Sequence, residues 1–454
     1  MKCLQCLSLV ILIMILNQIN GYQMDCPKGS STCTIKDARN AKEFDGMSAH
    51  KLNENHLKFE NSSLDSLHPS FFTTFSDLVT LDASSLQLKT IGNEQFNAAY
   101  QLENLNLSNN SLTMFNTSLL SKSKNLKKLD VSNNQIEDLD IEALKENNNN
   151  LKELNVSHNK MTNIVISESI YTLVASNNLL EQFKVSMNSK LTYLDVSGNS
   201  LLTDVKENFK HLQLIEYLNV GDVLLEPLEI DLFVEMEDLH SLMLRNTGIT
   251  KIEYGTFSNL QDLRFLDLSY NQITDLDVNM LLVLRNLNSL YISGNKIMTF
   301  NLFQNGKPMM LNLKEVSIEQ NNWECSSLAK LYYLLKVKNI EIMKLEYPKK
   351  DSTNVMFIEC YQESTMITST VETTLIVEDF TTTEASKQES IQLKPEIKTS
   401  NDDSAFYKVL SGVAITLVVV GILLKMKKYI KFSYCQSYKM VDEKDLRESS
   451  TEMI

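Results

Sequence analysis

The stretches LENLNLSNNSL (102–112), LKKLDVSNNQI (126–136) and LRFLDLSYNQI (263–273) share one template. Apolar residues occupy positions 1, 4, 6 and 11 of each stretch, and asparagine occupies position 9. The template recurs along most of the chain, usually every 24 residues. The predicted units start at Glu54, Leu78, Leu102, Leu126, Leu151, Ile170, Leu191, Ile215, Leu239, Leu263, Leu287 and Leu313.

The template predicts a short strand followed by a tight turn. Positions 4 and 6 alternate with polar neighbours, so two apolar side chains point inward from the strand. The amide of the position 9 asparagine both donates and accepts, and it can satisfy backbone groups that are buried between neighbouring turns. Since no unit can bury its apolar face alone, the units must stack into a solenoid. The predicted asparagine ladder contains Asn110, Asn134, Asn159, Asn178, Asn199, Asn271, Asn295 and Asn321. Its interruptions are Leu86, Val223 and Thr247, and Ser62 maintains it only in part.

This pattern, over residues 54–323, resembles the leucine-rich-repeat family, and the overall style resembles insect membrane proteins of that family. The resemblance implies an α/β solenoid, a leucine-rich-repeat horseshoe of about 12 units with a parallel concave sheet. It also implies a disulfide cap before the first unit, where Cys26 and Cys33 lie within a predicted N-terminal cap at 22–53.

The stretch NNWECSSLAKLYYLLK (321–336) is similar to the C-terminal cap of the family's extracellular members. Such a cap usually has four cysteines in two bridges. Here the predicted cap at 324–362 contains only Cys325 and Cys360, which implies a reduced cap with one bridge.

Two apolar runs predict a secreted N-terminus and one membrane span. LSLVILIMIL (7–16), preceded by a lysine and followed by polar residues, predicts a signal peptide at 1–21. A second run without a charge, extended back by a few residues, predicts a transmembrane helix at 405–424. Four lysines follow that run closely, so the positive-inside bias places the tail at 425–454 in the cytoplasm. We therefore expect a type I plasma membrane protein with an extracellular N-terminus.

Residues 363–404 are rich in Thr, Ser and Glu, and they predict a flexible stalk. The tail is too short for a signalling domain with its own core. It contains Tyr438-Lys-Met-Val441, which fits an endocytic sorting motif read by a cytoplasmic adaptor. Cys435 fits a palmitoylation site. The C-terminal residues fit a ligand that binds a PDZ-type groove by pairing as an added strand. The alternative for all three features is a solvated tail.

The sequence contains no pattern typical of catalysis or of a metal or cofactor site. HExxH, GxSxG, GxGxxG and the Walker loop do not occur, and the six histidines lack metal-ligand spacing. The recurrent Asp130, Asp195 and Asp267 sit at position 5, the exposed strand position, and we assign them to solubility. The net charge of −14 argues against nucleic acid as a partner. We therefore expect a protein that is not an enzyme and needs no cofactor.

The remaining function is binding, and the register of the repeat predicts which residues form the binding surface. Positions 2, 3, 5, 7 and 8 project from the predicted concave face. They are polar in the early units, whereas aromatic residues, methionine and arginine, which are enriched at interface cores, recur in the later units. The predicted ligand-binding residues are Tyr193, Tyr217, Met243, Arg245, Arg264, Phe265, Tyr270 and Tyr291. The alternative is that the tyrosines only cover neighbouring strands.

Acceptor triplets for N-glycosylation show the same asymmetry. The predicted glycosylation sites are Asn61, Asn106, Asn109, Asn116 and Asn155, and no such triplet follows Asn155. Three of them fall on the concave strand face, so glycans would screen its N-terminal half and leave the C-terminal half bare. The alternative is that the triplets are partly unused.

Two functional classes fit these features. One is a cell-surface receptor or co-receptor that binds an extracellular protein ligand through the concave face and signals through partners. The other is an adhesion protein that pairs with a second copy of itself or with a neighbour. A shed decoy would need cleavage in the stalk. The sequence favours the receptor by a small margin.

Overall fold

The computed structural model describes residues 23–27, 32–39, 55–67, 70–92, 95–141, 150–343, 358 and 360–361. The predicted signal peptide, stalk, transmembrane helix and tail, with Tyr438, Val441 and Cys435, lie outside the described residues. Among the helices that are described, none is both long enough and apolar enough to cross a membrane.

Short strands separated by turns make up most of the described chain. The strands are β1 (Gln23–Asp25), β2 (Thr32–Lys36), β3 (His56–Glu60), β4 (Thr80–Asp82), β5 (Asn104–Asn106), β6 (Lys128–Asp130), β7 (Glu153–Asn155), β8 (Asn163–Ile166), β9 (Thr172–Val174), β10 (Gln182–Val185), β11 (Tyr193–Asp195), β12 (Tyr217–Asn219), β13 (Ser241–Met243), β14 (Phe265–Asp267), β15 (Ser289–Tyr291), β16 (Phe303–Gln304), β17 (Lys307–Pro308), β18 (Glu315–Ser317), β19 (Trp323–Glu324), β20 (Glu341–Ile342) and β21 (Cys360–Tyr361). The helices are α1 (Phe71–Thr74), α2 (Val205–Asn208) and α3 (Cys325–Val337), and the 3-10 helices are Thr117–Leu120 and Val278–Leu281.

One long sheet runs through the repeats. Within the described residues fifteen strands join in the order β1, β2, β3, β4, β5, β6, β7, β9, β11, β12, β13, β14, β15, β18, β20. The pair β1–β2 is antiparallel and the pairs from β2 onward are parallel. Position 4 of one unit pairs with position 4 of the next, as Leu105 does with Leu81 and Leu129. The predicted solenoid with a parallel sheet is confirmed.

The template positions form the core. In the unit that starts at Leu126, the side chains of Leu126, Leu129, Val131 and Ile136 are all buried. Each such burial stabilises the fold by roughly 1.5 to 3 kcal/mol. Because the same positions are buried in neighbouring units, the core continues from one unit to the next, and a single cluster of buried apolar residues extends from Cys33 to Ile340.

Two short units have strands on the side of the solenoid that lies opposite the long sheet. The units that start at Leu151 and Ile170 are 19 and 21 residues long. An extended backbone covers about 3.3 Å per residue, whereas a helix covers about 1.5 Å. A strand can therefore cross the return side of a unit with fewer residues than a helix needs. Accordingly β8 and β10 form a parallel pair there. At the free edge of β10, the Oδ1 of Asn208 accepts a hydrogen bond from the Phe183 N–H at 2.7 Å.

The asparagine ladder predicted from position 9 is present. Asn134 Nδ2 donates to the carbonyls of Leu107 and Val131, both at 3.0 Å, and its Oδ1 accepts from the Leu112 N–H at 3.0 Å. The Leu107 carbonyl also accepts from Asn110 at 2.9 Å, so adjacent units share it. The ladder therefore satisfies backbone groups and joins each unit to the next.

At the predicted interruptions other groups take over part of this role. Thr247 Oγ1 donates to the Leu244 carbonyl at 3.0 Å. Ser62 Oγ accepts from the Ala38 N–H at 3.0 Å, which agrees with its predicted partial role. At Val223 the turn is closed by its own N–H, which donates to the Val220 carbonyl at 3.2 Å.

A second set of asparagines, which the sequence analysis missed, joins the units on another side. These residues lie at the end of the return segment, just before the next strand, and each donates its side-chain amide to a backbone carbonyl of the preceding unit. The pairs are Asn125 to Tyr100, Asn150 to Lys124, Asn259 to Val234, Asn286 to Gln261 and Asn312 to Arg285, at 2.7 to 3.1 Å. Four of them occupy the last position of their unit, and Asn259 lies four residues before Leu263, so this recurring position is a signal in the sequence that could have revealed them.

Both predicted disulfides are present. Cys26 bonds to Cys33 beside the β1–β2 hairpin, and Cys325 at the start of α3 bonds to Cys360 in β21. By chain entropy, closing the 35-residue loop of the second bridge stabilises the fold by about 3 to 4 kcal/mol. Trp323 is fully buried at this end, and its Nε1 donates to the Ile318 carbonyl at 2.7 Å, so it covers the last turn of the core.

We predict that Asn134→Ala lowers the free energy of unfolding by about 2 to 3 kcal/mol, because the Leu112 N–H loses its partner in a buried place. The matched control is Gln135→Ala, which removes the exposed neighbouring side chain and should change stability by less than about 0.5 kcal/mol. Equilibrium urea denaturation measures both. Equal effects of the two substitutions would contradict a structural role for the ladder.

Candidate ligand-binding face

The sheet presents positions 3 and 5 of each unit on the side opposite the core, which we call the open sheet face. At position 3, Tyr193, Tyr217, Ser241, Phe265 and Ser289 follow one another in register across β11 to β15. The open sheet face corresponds to the predicted concave face, and the structure brings the aromatic residues of the later units onto adjacent strands.

Three residues form a contact chain at the start of this region. The rings of Tyr193 and Tyr217 are stacked, with centroids 4.0 Å apart and planes 4° apart. The Tyr217 hydroxyl donates to Met243 Sδ at 3.1 Å. Burial, followed by the contact with Tyr193, raises the pKa of Tyr217 above its ordinary range. Tyr217 is therefore a neutral phenol that contacts Tyr193 through its ring and Met243 through its hydroxyl.

A second chain lies three strands further along. The ring of Phe265 meets Tyr291 edge to face, with centroids 5.0 Å apart and an angle of 70°. The Tyr291 hydroxyl donates to Glu315 Oε1 at 3.4 Å. Burial and the charge of Glu315 raise the pKa of Tyr291. This tyrosine is also neutral near pH 7.

Arg245 and Tyr270 form a cation–π pair beside these aromatic residues. The Arg245 guanidinium carbon lies 3.9 Å from the centroid of the Tyr270 ring, and Nη1 donates to Ser269 Oγ at 3.3 Å. Tyr270 has a φ of 59°, and its ring lies against Gly294. A Cβ at Gly294 would come within 2.8 Å of that ring, so glycine is required for this contact.

Arg264 differs from the other predicted ligand-binding residues. Its side chain is exposed, and within the described part of the chain it makes no hydrogen bond or ion pair. The other predicted residues are half-buried and contact one another. The structure therefore places seven of the eight residues in small packed groups and leaves Arg264 at the rim. Tyr193, Tyr217 and Tyr291 contact side chains on neighbouring strands, and ligand binding by these residues remains a prediction.

The aspartates at position 5 require a correction. They were expected to be exposed and to serve solubility, yet Asp267 is only 9% exposed. Each accepts a hydrogen bond from the backbone N–H two residues later: Asp130 from Ser132 at 2.9 Å, Asp195 from Ser197 at 3.0 Å and Asp267 from Ser269 at 2.8 Å. Such side-chain turns close the chain after the strand. The recurring Asp-x-Ser spacing was the signal that could have revealed this role.

The asparagines of the predicted acceptor triplets on the strands have the same role. Asn106 accepts from the Ser108 N–H at 2.9 Å, and Asn155 accepts from the Ser157 N–H at 3.1 Å. Asn-x-Ser is therefore both a turn motif and a glycosylation triplet. Both asparagines line a depression of about 360 Å³ on the open sheet face between β4 and β9. Glycosylation at these positions remains a prediction.

The other three triplet asparagines also have backbone roles. Asn61 and Asn109 lie at position 8 in the left-handed region, with φ values of 49° and 55°. Asparagine tolerates this conformation better than most residues. Asn116 lies at the start of the 3-10 helix Thr117–Leu120, where its Oδ1 accepts from the Ser118 N–H at 3.0 Å.

The N-terminal half of the open sheet face is polar and contains two ion pairs. Lys127 contacts Glu103 at 2.8 Å, and Lys128 contacts Glu153 at 2.8 Å. These pairs are exposed, so each contributes little to stability. They do neutralise the face locally. The N-terminal half thus offers paired charges, and the C-terminal half offers rings, a thioether and arginines.

The chemistry of the C-terminal half suits binding. The pKa values of Tyr217 and Tyr291 are raised, so both are neutral near pH 7, and their hydroxyls donate to Met243 and Glu315. Its rings offer apolar area, and its arginines offer positive charge. Among the described residues, no group of three or more His, Cys, Asp or Glu side chains is arranged to hold a metal ion.

Family models of leucine-rich repeats match three parts of the chain. The model described as "Leucine rich repeat" matches residues 237–297, a model of two copies matches 124–170, and a single-repeat model matches 190–212. No curated protein matches the chain significantly. The three matches lie within the repeats derived above.

The chain is similar to several solved structures, and the first of those described below supports the same fold. The leucine-rich repeat domain of the insect protein APL1B is 19% identical, with a TM-score of 0.53, and the match covers 78% of this chain and 97% of that one. A chain of the insect LRIM1/APL1C complex is 17% identical, with a TM-score of 0.47 and coverage of 94% and 80%. The ectodomain of the receptor kinase GASSHO1/SCHENGEN3 from Arabidopsis thaliana is 24% identical, with a TM-score of 0.46 and coverage of 60% and 33%. At such identities the likeness concerns the fold alone.

We predict that Asp267→Asn stabilises the protein at neutral pH. Burial raises the pKa of the Asp267 carboxyl, although Ser269 and Arg245 act in the opposite direction. A raised pKa in the folded state means that ionisation of Asp267 disfavours folding. Asparagine keeps the turn, as Asn106 and Asn155 show. The gain should shrink as pH falls through the folded-state pKa and vanish below the unfolded value of about 3.9.

The measurement is urea denaturation between pH 3 and pH 8, with Ser269→Ala in both proteins so that no new glycosylation triplet forms. The Ser269 backbone N–H remains available to the turn. Asp82→Asn, tested with Ser84→Ala in the same way, is the control, because Asp82 makes the same bond to the Ser84 N–H at 3.1 Å but is only half-buried. A gain for Asp267→Asn that is equal at pH 3 and pH 7 would contradict the electrostatic explanation.

Proposed function

We propose that the protein is a leucine-rich-repeat receptor or co-receptor of the cell surface, since models of this repeat match residues 124–170, 190–212 and 237–297. It binds an extracellular protein through the C-terminal half of its open sheet face. The leucine-rich-repeat fold is typical of protein-binding receptors and adhesion proteins, and such domains are generally non-catalytic interaction modules.

The observation that carries this proposal is the set of aromatic residues on β11 to β15. Tyr193 and Tyr217 are stacked, and Phe265 and Tyr291 are in contact, so the side chains are already ordered. Ordered side chains lose little conformational entropy when a partner binds. Aromatic residues with two side-chain torsions combine large area with low entropy loss. This half of the face is thus suited to serve as an interface core.

The position of the glycosylation triplets supports the same half. Asn106 and Asn155 lie at position 5 of β5 and β7, and no triplet follows Asn155 in the sequence. Glycans on these two asparagines would occupy the depression between β4 and β9. The ligand then has access to the aromatic half and not to the polar half.

The membrane location is part of the proposal and rests on the sequence. The predicted signal peptide at 1–21 and the predicted transmembrane helix at 405–424 give a protein with the repeats outside the cell. A tail of thirty residues, 425–454, acts through a cytoplasmic adaptor or a partner receptor. The Tyr438 motif is the candidate adaptor contact.

The test introduces new N-glycosylation sites, so that the added glycan blocks one part of the open sheet face sterically. Asp195→Asn creates the triplet Asn-Val-Ser at position 5 beside Tyr193, and Asp130→Asn creates the same triplet in the polar half. Both aspartates are half-buried and close the same turn, which asparagine also closes at Asn155. The two variants are therefore matched in position, chemistry and new sequence.

Cells displaying the full-length chain are screened with a panel of purified extracellular proteins of the same organism, including this chain. We expect a ligand whose binding is lost in glycosylated Asp195→Asn and kept in glycosylated Asp130→Asn. A peptide:N-glycosidase converts the glycosylated asparagine to aspartate, so it regenerates the wild-type residue and should restore binding. Ligand binding that survives the glycan at 195 would falsify the proposed face.

The same panel separates the receptor from the adhesion protein. If the chain itself is the probe that binds, and the glycan at 195 prevents this binding, the adhesion function replaces the receptor function. If another extracellular protein binds and the chain does not, the receptor function holds.

A further inference from the structure

The residues just before each strand form one side of the solenoid, which we call the entry edge. It consists of position 2 of a unit and the last four residues of the unit before it. The backbone N–H of each position 2 residue donates to the carbonyl of the one before, as Lys152 does to Lys127 at 2.8 Å. These bonds align the position 2 residues in one row, which reads Glu103, Lys127, Lys152, Tyr171, Thr192, Glu216, His240 and Arg264.

Charges of opposite sign are separated along the entry edge. Before β6 lie Lys122 and Lys124, which we call the basic pair, at positions 21 and 23 of their unit. Before β13 lie Glu235 and Glu237, which we call the acidic pair, at the same two positions. All four side chains are exposed. Five strand steps, about 24 Å, separate the two pairs, and salt screens exposed charges beyond about 8 Å. The two pairs therefore do not neutralise each other within one molecule.

The other charges of the edge follow the same order. Counted outward from a point between Tyr171 and Thr192, each residue on one side corresponds to a residue on the other side. The corresponding residues are Glu168 and Lys190, Lys152 and Glu216, Lys127 and His240, Lys122 and Glu235, Lys124 and Glu237, Glu103 and Arg264, and Asp77 and Arg285. All of these have opposite charges except Lys127 and His240. Asp238 adds to the charge of the acidic pair, and Asp262 corresponds to the neutral Gln101.

This order of charges makes the edge complementary to a reversed copy of itself. A two-fold axis through the point between Tyr171 and Thr192, perpendicular to the sheet, reverses the row and keeps equal template positions opposite each other. The basic pair of each copy then faces the acidic pair of the other copy. A shift by one strand separates these pairs, and in one direction it places Lys127 opposite Arg264, a like charge. The charges therefore favour one register.

The centre of the edge is apolar, and no predicted glycan lies on the edge. Tyr171 and Leu214 are 37% and 47% exposed there. The Lys152 ammonium makes a cation–π contact with Tyr171, 5.1 Å from the centroid of the ring. The five predicted acceptor triplets fall at positions 5, 8 and 15 of their units, which are outside the edge. An apolar centre with a polar rim is the usual anatomy of a protein interface.

Few contacts within the molecule compete for these charges. The edge side chains that make no ion pair or hydrogen bond to any described residue include Lys122, Lys190, Glu216, Glu237 and Arg264. Lys127 pairs with Glu103 at 2.8 Å, but this pair is exposed, so an exchange of partners costs little. Gln213 donates to Glu235 at 2.9 Å, and a neutral donor leaves the charge of that carboxylate in place.

We propose that the entry edge pairs with the entry edge of a second copy of this chain, about the two-fold axis between Tyr171 and Thr192. The proposed function concerns the open sheet face, and this pairing leaves that face uncovered in both copies. Because the axis is perpendicular to the sheet, both open sheet faces point to the same side, so one pair offers two binding faces. Exposed ion pairs each contribute little, so the pairing is weak and is favoured where copies are concentrated.

The first test is cross-linking between two full-length copies that carry different tags and are displayed on the same cells. One copy carries Lys124→Cys and the other carries Glu237→Cys, and a short bismaleimide joins thiols that lie close together. We expect a cross-linked dimer that contains both tags. Lys124→Cys in both copies is the control, because its two thiols are then about 24 Å apart and should give little product. Equal product from the mixed and the control combinations would contradict the two-fold pairing.

The second test is charge reversal, read by energy transfer between fluorophores fused to the C-termini of the two full-length copies. Lys122→Glu with Lys124→Glu in both copies places like charges at each contact and should lower the association constant by about tenfold or more. Glu235→Lys with Glu237→Lys in both copies should have the same effect. A combination of one copy of each kind should restore association, since both contacts then join opposite charges again.

The matched control for charge reversal is Lys160→Glu with Lys184→Glu, which changes the net charge equally at two exposed lysines outside the edge. It should change association by less than about twofold. Restoration in the mixed combination identifies two copies of the edge as the partners, because an edge that binds another protein cannot be repaired in this way. An equal loss in the control, or a loss that the mixed combination does not restore, overturns the pairing.

These outcomes are separate from those of the proposed function. Copies that reach the cell surface and neither cross-link nor transfer energy overturn the pairing, while the ligand screen still decides the role of the open sheet face. A screen that finds no ligand counts against the proposed function alone, because the cross-link needs no ligand.

Discussion

The sharp turn after every strand places backbone N–H and C=O groups against the next turn, where water has no access. Each such group needs a partner, because an unpaired buried group costs about 1 to 3 kcal/mol. The position 9 amide meets this requirement with three contacts at once, as Asn134 does with Leu107, Val131 and Leu112. Because two of these contacts, those to Leu107 and Leu112, reach the preceding unit, the requirement also fixes the distance between units.

That fixed distance determines how side chains are arranged on the open sheet face. Once the turns are stacked, strands pair with position 4 opposite position 4, and side chains at positions 3 and 5 line up in rows. Residues about one unit apart in sequence thereby become neighbours, which is how Tyr217 and Met243, 26 residues apart, meet. A surface built in this way has its geometry set by the core, and its chemistry can vary from unit to unit without disturbing the fold.

The repeat pattern predicts the solenoid, the parallel sheet and the ladder, because each depends on contacts that recur at a constant offset. It also predicts that the aromatic residues share one face. It could not predict which rings pair, since Tyr193 with Tyr217 and Arg245 with Tyr270 depend on rotamers and on small neighbours such as Gly294. The second asparagine set escaped prediction because it lies at the end of the unit, outside the eleven-residue template, although four of its five members share one position there. The aspartates were misassigned because an exposed strand position and a turn position coincide.

The Asp/Asn-x-Ser turn has a consequence for how the surface evolves. In the genetic code one base change converts an aspartate codon to an asparagine codon. At Asp130, Asp195 or Asp267 that change keeps the turn acceptor and creates an acceptor triplet in the same step. Parts of the face can therefore be hidden from or returned to solvent by single nucleotide changes. Such a lineage can revise what it recognises with little loss of stability.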